Sequence, residues 1–176
     1  APIGIGIQTS PTNGVEPELF VDQSVVERTT EIAIVSVAGA QKVHRTVVRD
    51  VTPNQFGVGI TAGTVDSKDH TTQDIAYCLV ENVTSYAYGG VVDGAKMTGI
   101  VARKVAFSPT VGYGGRGISI ASTGLETVRA DINGALIQDV PSFGIAYLAA
   151  GGTLEGIRVE RVEDLKESYS HGIYLG

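Results

Sequence analysis

Apolar and polar residues recur along this chain in one nine-residue pattern: an apolar residue, two variable positions, three mostly apolar ones, two polar ones, then usually Val. The pattern is read six times, at residues 21–29, 43–51, 75–83, 97–105, 132–140 and 154–162. Successive starts lie 22, 32, 22, 35 and 22 residues apart, the spacing of a solenoid whose repeats stack on one another. Val and Ile dominate each phrase, and Gly and other turn residues punctuate the intervals, which predicts strands. No stretch keeps a helical period over three turns, and only 162–169 has the pattern of a short helix.

Aligning the phrases turns the sequence into columns. The first, fourth, sixth and ninth positions are apolar or small and are assigned to the interior; the first (Val21, Val43, Ile75, Met97, Ile132, Leu154) is wholly apolar. The seventh reads Glu27, Arg49, Glu81, Arg103, Gln138, Glu160, and the eighth Arg28, Asp50, Asn82, Lys104, Asp139, Arg161. No charge is followed by its like. Parallel, in-register strands set equivalent residues about 4.8 Å apart, where opposite charges support the pairing and like charges oppose it. The fifth position (Val25, Val47, Leu79, Val101, Leu136, then Arg158) alternates outward, and an outward apolar ladder needs covering.

A second strand follows each phrase. Gly59-Ile60, Gly90-Val91, Gly117-Ile118, Gly144-Ile145 and Gly172-Ile173 each open one; Ile32-Ala33-Ile34 and Gly4-Ile5-Gly6-Ile7 look like the same strand in the first turns. Two or three short strands per coil of 22–35 residues describe an all-β, right-handed parallel β-helix of about six to seven coils, a single domain over 1–176. The strand-like sequences at both ends lead us to expect a piece of a longer β-helical protein, or ends covered by neighbouring subunits.

Composition narrows the function. A net charge of −6 and the lack of a Lys/Arg stripe argue against a nucleic-acid partner, and no apolar run is long enough to span a membrane. The single Cys78 shares an inward column with Ser24, Thr46, Ile100, Ala135 and Ile157 and is read as a core residue. No ligand spacing suits a zinc or EF-hand site, so no metal and no cofactor is expected.

Three places are candidates for chemistry. The 62–74 loop concentrates Asp66, Asp69, His70 and Asp74; two carboxylates facing one cleft there could serve as the general acid and base of a glycosidase or hold a Ca²⁺, and the bland reading is a solvated turn. The 86–90 and 108–117 loops carry Tyr86, Tyr88, Tyr113 and Arg116, rings for stacking on sugars and a guanidinium for a carboxylate. The column before each Gly-Ile strand, Gly89, Arg116, Phe143 and His171, would line a groove crossing several coils, or be a permissive turn position.

With the coils, the Gly-Ile strands and the closing Ser170-His171-Gly172-Ile173 laid out, the chain resembles the pectate-lyase-like right-handed β-helix superfamily, most of all the bacteriophage tailspikes and polysaccharide depolymerases. The resemblance is one of pattern: of the polygalacturonase motifs, only Ser170-His171-Gly172 is similar to one. It implies a carbohydrate-active protein of the virion surface or extracellular space, a homotrimer, acting on an extended, bacterial polysaccharide. In a hydrolase, Asp66, Asp69 and Asp74 would supply the acid and the base or nucleophile. In a lyase, Tyr113 or His70 would abstract the proton, with Arg116 neutralising a uronate. Tyr86, Tyr88, Phe143 and His171 would bind the substrate. The alternative is a non-catalytic β-helical stem or adhesin module.

Overall fold

The computed structural model describes residues 4–53, 56–64, 70–108, 113–122, 128–148, 150–163 and 170–176. The described chain is all-β, and its two large sheets are parallel throughout. One sheet sets β1 (Ile5–Thr9), β4 (Ile32–Val37), β7 (Val58–Gly63), β10 (Tyr86–Val91), β14 (Arg116–Ala121), β16 (Phe143–Leu148) and β18 (His171–Leu175) side by side in that order.

The second sheet curls. Its first edge holds β2 (Glu18–Asp22), β5 (Gly39–His44) and β8 (Thr71–Ala76). Its other edge holds β3 (Val25–Glu27), β6 (Val47–Arg49) and β9 (Leu79–Val83). The long β11 (Gly94–Val105) pairs with both β8 and β9, and β15 (Val128–Val140) and β17 (Ala150–Val162) stack beyond it. Between the sheets' strands, β12 (Phe107–Ser108) and β13 (Tyr113–Gly114) pair antiparallel.

The columns read from the sequence are the rungs of this sheet. Val21, Val43, Ile75, Met97, Ile132 and Leu154 are successive Cα partners. The first-, fourth-, sixth- and ninth-position residues of the middle phrases form a continuous buried core, while the fifth-position residues face outward, from the exposed Val25 to the half-buried Leu136.

The bends between walls have a residue-level cause. The third position, Gln23, Arg45, Tyr77, Gly99, Gly134 and Gly156, has φ between +47° and +71°, and the eighth, from Arg28 to Arg161, between +54° and +58°. Each phrase therefore turns twice through the left-handed region, which costs a non-glycine residue about 1–2 kcal/mol. Where the third residue is not Gly, the fourth donates a hydrogen bond back to the second-position carbonyl: Ser24 Oγ to Asp22 O (2.8 Å), Thr46 Oγ1 to His44 O (2.8 Å), Cys78 Sγ to Ala76 O (3.3 Å). Where the third is Gly, the fourth is Ile100, Ala135 or Ile157 and has no such group to give.

The seven-stranded sheet corrects the sequence alignment at one coil. Tyr88 pairs with Ile60 on one side and Ile118 on the other, so Ala87-Tyr88, not Gly90-Val91, is the equivalent of the Gly-Ile pairs. A tyrosine has taken the isoleucine's place in the core, and its hydroxyl donates to either Cys78 O or Val101 O, both 2.8 Å away. Such partners make a buried phenol tolerable. Val92, which the Gly90-Val91 alignment would turn outward, is buried. Two further polar groups are absorbed inside: Gln73 Nε2 bonds Gln41 Oε1, and Gln41 Nε2 bonds Thr61 O. The segment 164–169, most of the expected short helix, lies outside the described residues.

Candidate functional site: a groove across the seven-stranded sheet

The corrected register moves an aromatic ring into the groove column. The residue that precedes the Ala87-Tyr88 pair is Tyr86, and Tyr86, Arg116, Phe143 and His171 are Cα partners on four successive strands. Gly89, expected in this column, belongs to the next outward one, between Thr61 and Ser119. The side chains stack along the column. The Arg116 guanidinium lies 5.4 Å from the Phe143 ring centre, and Phe143 and His171 stack at 5.7 Å and 20°. Tyr174 closes on both from the neighbouring column, at 5.3 Å and 5.9 Å.

Below Arg116, toward the first coils, the sheet's outer face is a groove of about 600 Å³. Its floor is Ile32, Val35, Val58, Thr61, Tyr86 and Ser119. Two polar contacts fix the rotamers over it: Tyr86 Oη to Thr61 Oγ1 at 2.9 Å, and Arg116 Nη1 donating to Ser119 Oγ at 3.0 Å. The groove is chiefly apolar with a few oriented polar groups and one cation, the character of a binding site for an organic molecule.

Its walls are the turns on either side of the sheet. Phe56 forms one, and its backbone is pinned from two neighbouring coils: its N–H donates to the buried Glu31 carboxylate (2.8 Å), and its carbonyl accepts from the Ser85 hydroxyl. Gly63 and Thr64, the start of the 62–74 segment, line the other side. Phe56 was not singled out in the sequence, where it is one aromatic in a Pro-Asn-Gln-Phe-Gly turn.

The other expected residues fall elsewhere. Tyr88 is wholly buried, so it presents no ring face to a ligand. Asp74 stands on β8, on the outer face of the second sheet, in register with Lys42 and Lys96 and 3.6 Å from His44 Nε2. His70 is exposed beside Asp93 (3.7 Å), and its backbone N–H donates to the Glu16 carboxylate. Neither lines the groove. Asp66 and Asp69 lie outside the described residues, as does the side chain of Tyr113, whose backbone pairs with Ser108.

Among the described residues no three His, Cys, Asp or Glu side chains gather as metal ligands, and no helix is long and apolar enough to cross a membrane. Cys78 is buried, which pushes its thiol up to about 11. No family model, curated protein or solved structure matches the chain.

Proposed function

We propose that the chain is a right-handed parallel β-helix of the pectate-lyase-like kind that binds an extended, bacterial surface polysaccharide across its seven-stranded sheet. The observation that carries this reading is the column Tyr86–Arg116–Phe143–His171 continuing an apolar groove over successive strands. Side chains repeating at a strand spacing of about 4.8 Å suit consecutive units of a linear polymer. A guanidinium among them favours a polymer carrying carboxylates, because Arg can bind that group through two hydrogen bonds. The outward fifth-position residues would be the contact of a homotrimer on a virion surface or in the extracellular space.

Asp74 and His70 stand away from the groove, so hydrolase or lyase chemistry falls to Asp66 and Asp69 on the 62–74 segment, whose first residues border it. Affinity electrophoresis in gels containing capsular or uronan polysaccharides tests the binding. Retardation by at least one polymer is expected, with Phe143→Ala and Tyr86→Ala each weakening it about tenfold or more, the loss of one stacked ring. The double variant Asp66→Asn/Asp69→Asn should keep retardation while losing any release of reducing or unsaturated ends.

A stem without catalysis is the second reading. The charge ladders favour it, because they serve stacking alone.

A further inference from the structure

The trough below Arg116 differs in chemistry from the ring column that continues it. Its described lining comes from β4, β7, β10, β14 and β16 and the turns beside them, and each of these strands is paired within the chain on both sides. Ile32, Val35, Val58, Val91, Ala121 and Leu148 make the trough aliphatic, while Phe143, His171 and Tyr174 are not among its described lining residues. The polar side chains over the floor are already engaged: Tyr86 Oη and Thr61 Oγ1 bond each other, and Arg116 Nη1 donates to Ser119 Oγ. A sugar laid there would set its hydroxyls against Ile and Val, and burying them without partners is unfavourable. An aliphatic chain has no such groups to satisfy and gains by leaving water.

Charge selects the other end of the ligand. Arg116 is the one charged side chain among the described lining residues, so the trough complements a single anion. A guanidinium can hold a carboxylate through two N–H donors. From β4, which carries Ile32, to β14, which carries Arg116, is three strand steps, about 14 Å at the spacing of a parallel sheet. An extended dodecanoate has that length.

We propose that the trough binds a medium-chain aliphatic monocarboxylate, its chain laid across β4, β7 and β10 and its carboxylate on Arg116. This ligand class goes beyond the sugar-binding reading and stands or falls without it. Tyr86 and Arg116 belong both to the trough and to the ring column, so the carboxylate and a polymer on that column compete.

Isothermal titration calorimetry of the 176-residue chain with sodium octanoate, decanoate, dodecanoate and tetradecanoate tests it. Binding should saturate at a single site and tighten about tenfold with each step of the series up to dodecanoate, then level off. Octanoate should bind about tenfold more tightly than octan-1-ol, and Arg116→Gln should erase that difference while leaving the alcohol unchanged. Val91→Asp, at a position 39 % exposed, should weaken alcohol and alkanoates alike, with the thermal midpoint reporting that each variant is folded. The length series and the alcohol comparison need no variant. Alkanoate binding by a chain that no polymer retards would leave this site standing and remove the sugar reading. No saturable binding, an affinity independent of chain length, or octan-1-ol bound as tightly as octanoate would each overturn the proposal. So would a fall in sedimentation mass on Val91→Asp, which would assign the trough to a second copy of the chain.

Discussion

Ser24, Thr46 and Cys78 each follow a residue held in the left-handed region that is not glycine, and each returns a hydrogen bond across that corner. Thr46 is fully buried, so Thr46→Val removes the bond while keeping the volume. The change should lower unfolding free energy by about 1 kcal/mol, read as a lower denaturant midpoint at unchanged slope. Cys78 adds a chemical test. Burial raises its thiol to about 11, so the folded protein should resist iodoacetamide at pH 8 and react at once in denaturant. The inward place of Cys78 was legible from its column. The corners were not: Gln23, Arg45 and Tyr77 look merely variable, because left-handed residues other than glycine leave only a weak compositional trace. The glycines in the last three phrases were the available signal.

Strands and their ladders were the most legible level, because alternating charge has meaning only if equivalent residues are neighbours. The guanidinium of Arg45 holds the Asp22 carboxyl below the usual range, that of Arg161 does the same for Asp139, and the Gln138 amide lowers Glu160. Carboxyls lowered in the folded state stabilise it fully above their ordinary values, 3.8 for Asp and 4.5 for Glu. That contribution is lost as pH falls through the lowered values. The thermal midpoint should therefore hold from pH 7 to about 5 and drop below about 4, with a smaller drop at high salt because these pairs are exposed. Steric fit between strands makes a sharper claim. A Cβ at Gly59 would strike the Ala87 carbonyl oxygen and lie 2.6 Å from Val80, so Gly59→Ala should cost roughly 1–3 kcal/mol in chemical denaturation. The sequence misplaced one such strand, because Gly90-Val91 imitates the motif while Tyr88 fills the core position usually held by Ile.

Across the whole molecule, the groove depends on the stack being in register, and half of its chemistry was visible in advance. Arg116, Phe143 and His171 fall in one column because their strands open alike; Tyr86 joins them only once Tyr88 is recognised as a core residue. Phe56 could not be placed from its turn, since what fixes it is Glu31 and Ser85 on other coils. Asp74 looked like a loop carboxylate but continues β8, where Lys42 and Lys96 are its rung neighbours. In the function proposed for the groove, one ligand spans several rungs. That span is tested most directly by titrating the chain with a length series of oligosaccharides from a retarding polymer, following tyrosine fluorescence in a protein without tryptophan. Affinity should rise with each added unit up to about four, the span from Tyr86 to His171 at about 4.8 Å per strand, and then level off. An affinity independent of length would contradict the account.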